Sequence, residues 1–493
     1  MLPAIGVAAS ALLGVVAGYA APLSWNSMLL VLAMLLSALP FALALIQRRF
    51  DPFEPIYLFA LSFAVLFAGR PLFDLNQPGG VPNFLGYPIQ STYAAALGVG
   101  VVGAIGFYIG YYTRVGVELG RTIPVPSGKW VRSTLYALIV LGTILSVGLF
   151  AIFLASQGGL SVLFAFLGGR NLVSGAALHS SSGYLYTAPL WLTAFAVLLL
   201  ARQRAWRSLG GLIAFLLLSL SQLTQIALGD RAWTLPALAA VVLVWYLRRG
   251  RRPAVWTAAF LLVAVFVVGV TVPRQYRTTA DRQGALIQTA LAAILDPGSD
   301  VAQFFEGGDT GMVDALAVEL LFVPGTISYQ SGRTYLEELT RPFPRSFWSG
   351  KPVSADTQLM RAIWPEYDRA GVGFSFSLFG EPYLNLGFVG VFIFSMIFGI
   401  LCRTLYAWFL KSPLNPAAIA IYALSWPFVF VYFRGGIGVD YHRQLIYTVP
   451  VLLAIFLAGV RRDTPPKALE DGPASMPESR SNYRAIPSGL ATD

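Results

Sequence analysis

An all-α polytopic membrane protein, with about twelve transmembrane helices and one large extracytoplasmic loop, is the fold the sequence predicts. Three observations lead there. Of the 493 residues, 56% are hydrophobic and only 12% are charged, whereas a soluble domain carries roughly a quarter charged residues. Long uncharged runs recur from one end of the chain to the other, which reads as one polytopic unit rather than several soluble domains. Most Lys and Arg stand in short clusters at the ends of those runs, where they orient helices in a bilayer.

Crossing a core of roughly 30 Å takes about 20 mainly apolar residues. Runs of that kind place helices at 4–21, 28–47, 56–73, 92–112, 134–155, 184–201, 209–228, 232–247 and 254–272, then at 383–410, 415–433 and 444–460. The first ends in small residues, Ala17 to Ala21, that resemble a signal-peptide cleavage site. It lacks a basic region before the apolar run, so it is expected to be retained. The layout is nine helices over 1–272, a large extracytoplasmic loop over 273–382, three helices over 383–460 and a tail over 461–493. That tail is rich in Pro, Ser and charge and is expected to be a disordered cytoplasmic extension.

Orientation follows from the short loops. With the N-terminus in the cytoplasm, one side receives Arg48 and Arg49, then Arg114, Arg121, Lys129 and Arg132, then Arg202, Arg204 and Arg207. Arg248, Arg249, Arg251 and Arg252, Arg403 and Lys411, and Arg461 and Arg462 fall on the same side. Every alternate loop obeys the positive-inside rule. Both termini are therefore expected in the cytoplasm.

Several chemistries are discounted. The single Cys402 excludes an intrachain disulfide, and His179 and His442 have no cysteine partners at zinc spacing, so no metal is expected. The net charge of +10 sits at helix ends and makes no basic groove, so no nucleic-acid partner is expected. Gly98, Gly100 and Gly103 spell GxGxxG inside an apolar span with no strand before it, which points to helix packing through small residues. No P-loop or DxD pair is present, so no nucleotide cofactor is expected. The middles of the spans lack the ionisable groups that ion-coupled transporters keep there.

This topology leaves a few arginines on the outer side: Arg70, Arg170, Arg231, Arg274, Arg277, Arg434 and Arg443. A guanidinium fork grips phosphate or pyrophosphate bidentately. Snorkelling to headgroups or pairing with a loop carboxylate is the alternative for each. Arg231 ranks first, because it opens a span directly after Gly229 and Asp230. The 273–382 loop mixes Arg345 and Lys351 with Phe343, Phe347, Trp348, Trp364 and Tyr367. Such a mixture suits a carbohydrate, or else a small loop core. For a general base the candidates are Glu381 and, in the cluster Asp440 to Arg443, His442 and Asp440, since both lie at outer ends of late spans. Against them stand a helix-capping role for Glu381 ahead of Pro382 and a structural Asp440–Arg443 pair.

Some of these residues carry a resemblance. Asp51 to Pro55 leading to Gly69-Arg70-Pro71-Leu72, and Gly229-Asp230-Arg231, resemble the oligosaccharide repeat-unit (O-antigen, Wzy-type) polymerases. So do Pro344-Arg345 through Trp348, Lys351-Pro352, and Gly380-Glu381-Pro382 through Gly387 and Gly390. The resemblance runs from residue 51 to about 460. It implies a GT-C-like, metal- and nucleotide-independent glycosyltransferase of a bacterial inner membrane. Such an enzyme moves a glycan from undecaprenyl pyrophosphate onto another lipid-linked repeat unit, with a chain-length regulator and a flippase as partner proteins and membrane lipids around it. Arginines would stabilise the leaving pyrophosphate. An O-antigen ligase, another polyprenyl-dependent glycosyltransferase and a lipid-linked glycan transporter or flippase remain open as alternatives.

Overall fold

The structure, a computed structural model, describes residues 24–77, 80–81, 83–159, 183–203, 205–227, 233–254, 257, 305–306, 310–340, 348, 350, 354–369 and 375–459. Among these residues the regular elements are all helices, apart from the isolated bridges Phe84–Tyr87 and Trp130–Gly459.

Among the described residues seven helices are long and apolar enough to cross a membrane, which makes this a multi-pass membrane protein. They are α1 (Trp25–Ile46), α2 (Pro55–Leu75), α3 (Gln90–Tyr112), α5 (Arg132–Gln157), α12 (Ser377–Leu410), α13 (Pro416–Gly435) and α14 (Ile437–Ala458). Three shorter apolar helices, α6 (Leu190–Arg202), α7 (Leu209–Ala227) and α8 (Thr234–Arg248), pack with them. The seven do not reach the expected twelve. The expected span 4–21 and nearly all of 254–272 lie outside the described residues, and 184–201, 209–228 and 232–247 hold the three shorter helices that are not counted with the seven. The short surface helix α4 (Arg114–Thr122) follows α3. Among the described residues between α8 and α12 stand α9 (Met312–Phe322), α10 (Arg333–Thr340), α11 (Ala355–Ile363) and the single turn Pro365–Arg369.

Local chemistry sets the helix ends. Ser24 caps α1 by accepting the Ser27 N–H. Asn415 does the same at α13 with the Ala417 N–H at 2.8 Å, ahead of Pro416 at the first helical position. The middle of α2, Ala64–Gly69, is a π-helical turn. Such a turn rotates the next stretch of helix about its axis, and π turns recur at functional sites; here the next residue is Arg70.

The centre of the bundle is a glycine seam. A Cβ at Gly103 of α3 would strike the Phe379 ring, and one at Gly106 would come within 2.6 Å of the Phe392 carbonyl oxygen of α12. Gly110 meets the Met396 carbonyl, while Gly399 of α12 meets the Phe107 carbonyl. Gly100 lies against Phe67. Small residues are what allow two membrane helices to approach closely, so Gly100 and Gly103 of the GxGxxG run pack helices, as its setting in an apolar span indicated, while Gly98 has no neighbour within 4 Å of where a Cβ would stand.

The loops collect into two sets. Asp51 accepts from Arg252 (2.8 Å) and Tyr406 (2.9 Å), and Glu54 from Arg403 (2.9 Å) and Tyr111 (2.7 Å). Lys411 donates to the Arg121 and Ile123 carbonyls, and the Val131 N–H to Ala458. The other set holds Arg70, Asp74, Tyr93, Glu381 and Asp440. Helices α2, α3, α12 and α14 each have one end in either set, as alternating passes require. The Asp51 set contains the basic loops that the charge rule assigns to one side. With Cys402 replaced, a cysteine at Ser127 is expected to resist an impermeant thiol reagent in intact cells and to react after permeabilisation. Labelling in intact cells reverses the orientation.

Candidate active site

The Arg70 end is built by α2, α3, α9, α10, α12 and the α13–α14 turn. The π turn delivers Arg70 one helical turn ahead of Asp74, and Arg70 Nε donates to Asp74 Oδ2 at 2.9 Å. Tyr93 of α3 donates to the same oxygen at 2.8 Å. Arg70 Nη2 lies 2.6 Å from Asp314 Oδ2 of α9, an ion pair by distance in which neither Asp314 oxygen receives a well-directed hydrogen bond. All four residues are buried. Burial, then the neighbouring Asp74 carboxylate, push the Asp314 carboxyl up to about 8 against the pull of Arg70. One proton on the two aspartates leaves the cluster with Arg70 neutral. The Arg70 fork, expected to face pyrophosphate, is thus already engaged, with Nη1 alone lacking a hydrogen-bond partner.

Helix α9 leads from this cluster to a second one. Glu319 follows Asp314 by five residues, about 7.5 Å along a helix axis. It is fully buried, and neither of its carboxylate oxygens has a hydrogen-bond partner. Its Oε2 fills the place a side chain would take at Gly380, 2.8 Å from where a Cβ would stand. Next to Gly380 is Glu381.

Glu381 is held on α12 by residues of the large loop. Thr334 Oγ1 donates to Glu381 Oε1 at 2.8 Å, and the Asn385 amide donates to Thr334 Oγ1 at 2.7 Å and to the Glu381 carbonyl at 2.8 Å. The helix begins at Ser377 rather than at 383, so Glu381 lies inside it and does not cap it. It breaks at Leu386 and Gly387, where Gly387 adopts φ +60 and ψ −149, a conformation essentially restricted to glycine. Gly390 then tucks beneath the Pro382 carbonyl. Across the break the Gln330 and Ser331 N–H groups donate to the Leu384 and Asn385 carbonyls at 3.0 and 3.1 Å, and the Gly332 N–H to Asn385 Oδ1 at 2.7 Å.

The third group sits at the turn between α13 and α14. Gly436, at φ +90, would bring a Cβ within 3.9 Å of Glu381 Oε2, while the Asp440 carboxylate folds over Gly435. Asp440 is buried, receives Arg443 Nη1 at 2.6 Å and feels the charge of Arg434. The Arg443 guanidinium also lies 5.3 Å from the Trp233 ring centre. His442 is half-buried on the second turn of α14. The Asp440–Arg443 pair weighed from sequence is therefore formed.

The structure thus brings Glu381, Asp440, Arg434 and Arg443 to one end of the bundle. Arg170, Arg231, Arg277, Arg345 and Lys351 lie outside the described residues. Trp364 is buried, donates to the Leu85 carbonyl at 3.2 Å and packs on Phe84, Tyr87 and Phe376. It belongs to a loop core and is no carbohydrate platform; Trp348 is exposed. Sequence reasoning missed Asp74, Asp314, Glu319, Thr334 and Asn385. Two acids in the otherwise apolar helix Met312–Phe322 were the available signal.

No curated protein and no solved structure matches the chain. Residues 313–460 match a protein-family model, and that stretch contains Glu319, Glu381, Arg434, Asp440 and Arg443. It does not reach the earlier motifs at residues 51–55 and 229–231, which resemble the same family. The family is described as O-antigen polysaccharide polymerase Wzy, so over residues 313–460, less than a third of its length, the chain is similar to these polymerases, in line with the resemblance read from its motifs.

Proposed function

We propose that the protein polymerises undecaprenyl-pyrophosphate-linked oligosaccharide units on the outer face of a bacterial cytoplasmic membrane, as a metal-independent GT-C-like glycosyltransferase of about twelve spans. One observation carries the reading: the matched stretch supplies the buried acid Glu381 together with Arg434 and Arg443, all gathered at one end of the helices. In the reaction, an acceptor hydroxyl gives its proton to Glu381 as its oxygen bonds to the anomeric carbon. The bond from that carbon to the pyrophosphate oxygen breaks, and the electron pair leaves with the phosphate. Charge developing there needs preorganised cations. Arg434 and Arg443 are assigned that role, with Arg170, Arg231, Arg277, Arg345 and Lys351 from the remaining chain. Arg70, tied to two aspartates, contributes through its remaining N–H. Asp440 holds Arg443 in place, and His442 is the second candidate base.

The test is the product pattern after deletion of the gene. Single repeat units attached to lipid A core are the expected result, since ligation continues without polymerisation. Unattached long chains assign the ligase activity instead, and a loss of lipid-linked units from the outer face assigns a flippase. Restoration with Arg231→Lys, at normal expression, is expected to be poor, because an ammonium offers no bidentate fork.

A further inference from the structure

Glu319 has no part in the reaction as described, yet it is a fully buried acid beside the proposed base. It stands against Gly380 with both oxygens unpartnered, and Glu381 is the charged group that acts on it most. A helix of apolar residues carries it there: Val313, Leu316, Ala317 and Val318 around it are all buried. An isolated carboxylate in such surroundings either finds a cation or stays neutral. Among the described residues the nearby cation of α9 is Arg70, and it is engaged by Asp314 and Asp74.

We propose that Glu319 is a positioning residue that keeps its proton beside Glu381, so that Glu381 is the ionised member of the pair and the one that accepts the hydroxyl proton. This rests on the reading of Glu381 as the base. Two adjacent carboxyl groups do not both ionise readily, and the one with a hydrogen-bond donor to its charged form keeps the charge. Thr334 gives that donor to Glu381 Oε1. Burial first, then the Glu381 charge, raise the Glu319 carboxyl well above the usual carboxylate range. Among the described residues the other titratable or charged groups around the pair are Tyr383 on α12, Tyr335 on α10, pushed toward its neutral form by burial, and Asp440 with Arg434 and Arg443 at the α13–α14 turn beside Glu381, while Tyr93 of α3 faces the Asp74 and Asp314 side. The placement also fits Gly380: a Cβ there would meet Glu319 Oε2 at 2.8 Å as well as the Phe376 Cβ at 2.6 Å.

In this arrangement the proton on Glu319 is not consumed. Glu381 gains the acceptor's proton in each turnover and returns it to water, while Glu319 stays neutral throughout. Ionisation of Glu319 at high pH places two like charges together and stops turnover.

The experiment uses the full-length protein, purified in detergent, with a lipid-linked repeat unit as substrate across a pH series. Glu319→Gln keeps the shape and a donor but cannot ionise. The expected result is turnover near that of the wild type at neutral pH with the alkaline limb of the kcat profile abolished. Gly380→Ala, which displaces the carboxyl without removing it, is expected to lower kcat with KM unchanged. Independently of activity, the infrared difference between wild type and Glu319→Gln at neutral pH is expected to show the carbonyl stretch of a protonated carboxylic acid. An unaltered alkaline limb in Glu319→Gln, or no such band, overturns the proposal. If Glu381→Gln retains wild-type turnover, the assignment of the base fails instead, and the infrared band still reports the Glu319 proton.

Discussion

Glu381→Gln is expected to fold and to lose polymerisation by about 10²- to 10⁴-fold, the usual contribution of a positioned general base. Folding should survive because the amide oxygen still accepts from Thr334 and the Asn385 bonds go to Thr334 and to the Glu381 carbonyl, neither of which changes. Chemistry should not survive, since an amide cannot take the acceptor's proton. The measurement is single-turnover polymer formation by purified variants with saturating lipid-linked substrate, beside thermal unfolding in the same detergent. A folded Glu381→Gln protein with wild-type turnover removes Glu381 from the mechanism and moves attention to His442.

Arg70→Ala is expected to be the most destabilising of the site variants. It leaves Asp74 and Asp314 buried without their cation, and breaking a buried ion pair from one side costs about 3–5 kcal/mol. Asp314→Asn should be far milder, because it mimics the protonated state that burial favours. The pH dependence has a defined sign. The folded-state value of Asp314 is raised, so its contribution to stability is full below its ordinary value and is lost as pH rises through about 8. Thermal stability should therefore fall more steeply in the wild type than in Asp314→Asn as pH rises from the ordinary value of 3.8 to about 8, with the two proteins running parallel only above that window. Parallel curves for the two proteins within that window would exclude the shared proton.

What could be read from the sequence divides along a physical line. Apolar length is a property of a segment, so every expected span that falls among the described residues landed on a helix, and Gly100 and Gly103 were recognisable as packing residues. Burial of a polar group is a property of the fold. Arg70 looked available because it stands at a helix end, although Asp74, one turn away, was visible as its partner. Asp314 meets Arg70 across more than two hundred residues, and nothing local announces that contact. Trp364 read equally well as a sugar platform or as core, and burial decided for core. Glu381 was found because its motif resembles a family, whereas Thr334 and Glu319 belong to no recognisable motif and emerge only from proximity.

The break in α12 has a consequence for recombination. Outside a helix, backbone carbonyls near a membrane must find other donors, each unmet group costing several kcal/mol. At Leu384 and Asn385 those donors are the N–H groups of Gln330 and Ser331. The 326–340 stretch therefore serves as the missing turn of a helix that lies far downstream of it in the chain. A chimera that exchanges the large loop alone separates the two halves of one backbone ladder. Grafts between relatives should carry 326–340 and 377–390 as a single heritable unit, with the crossover points placed elsewhere.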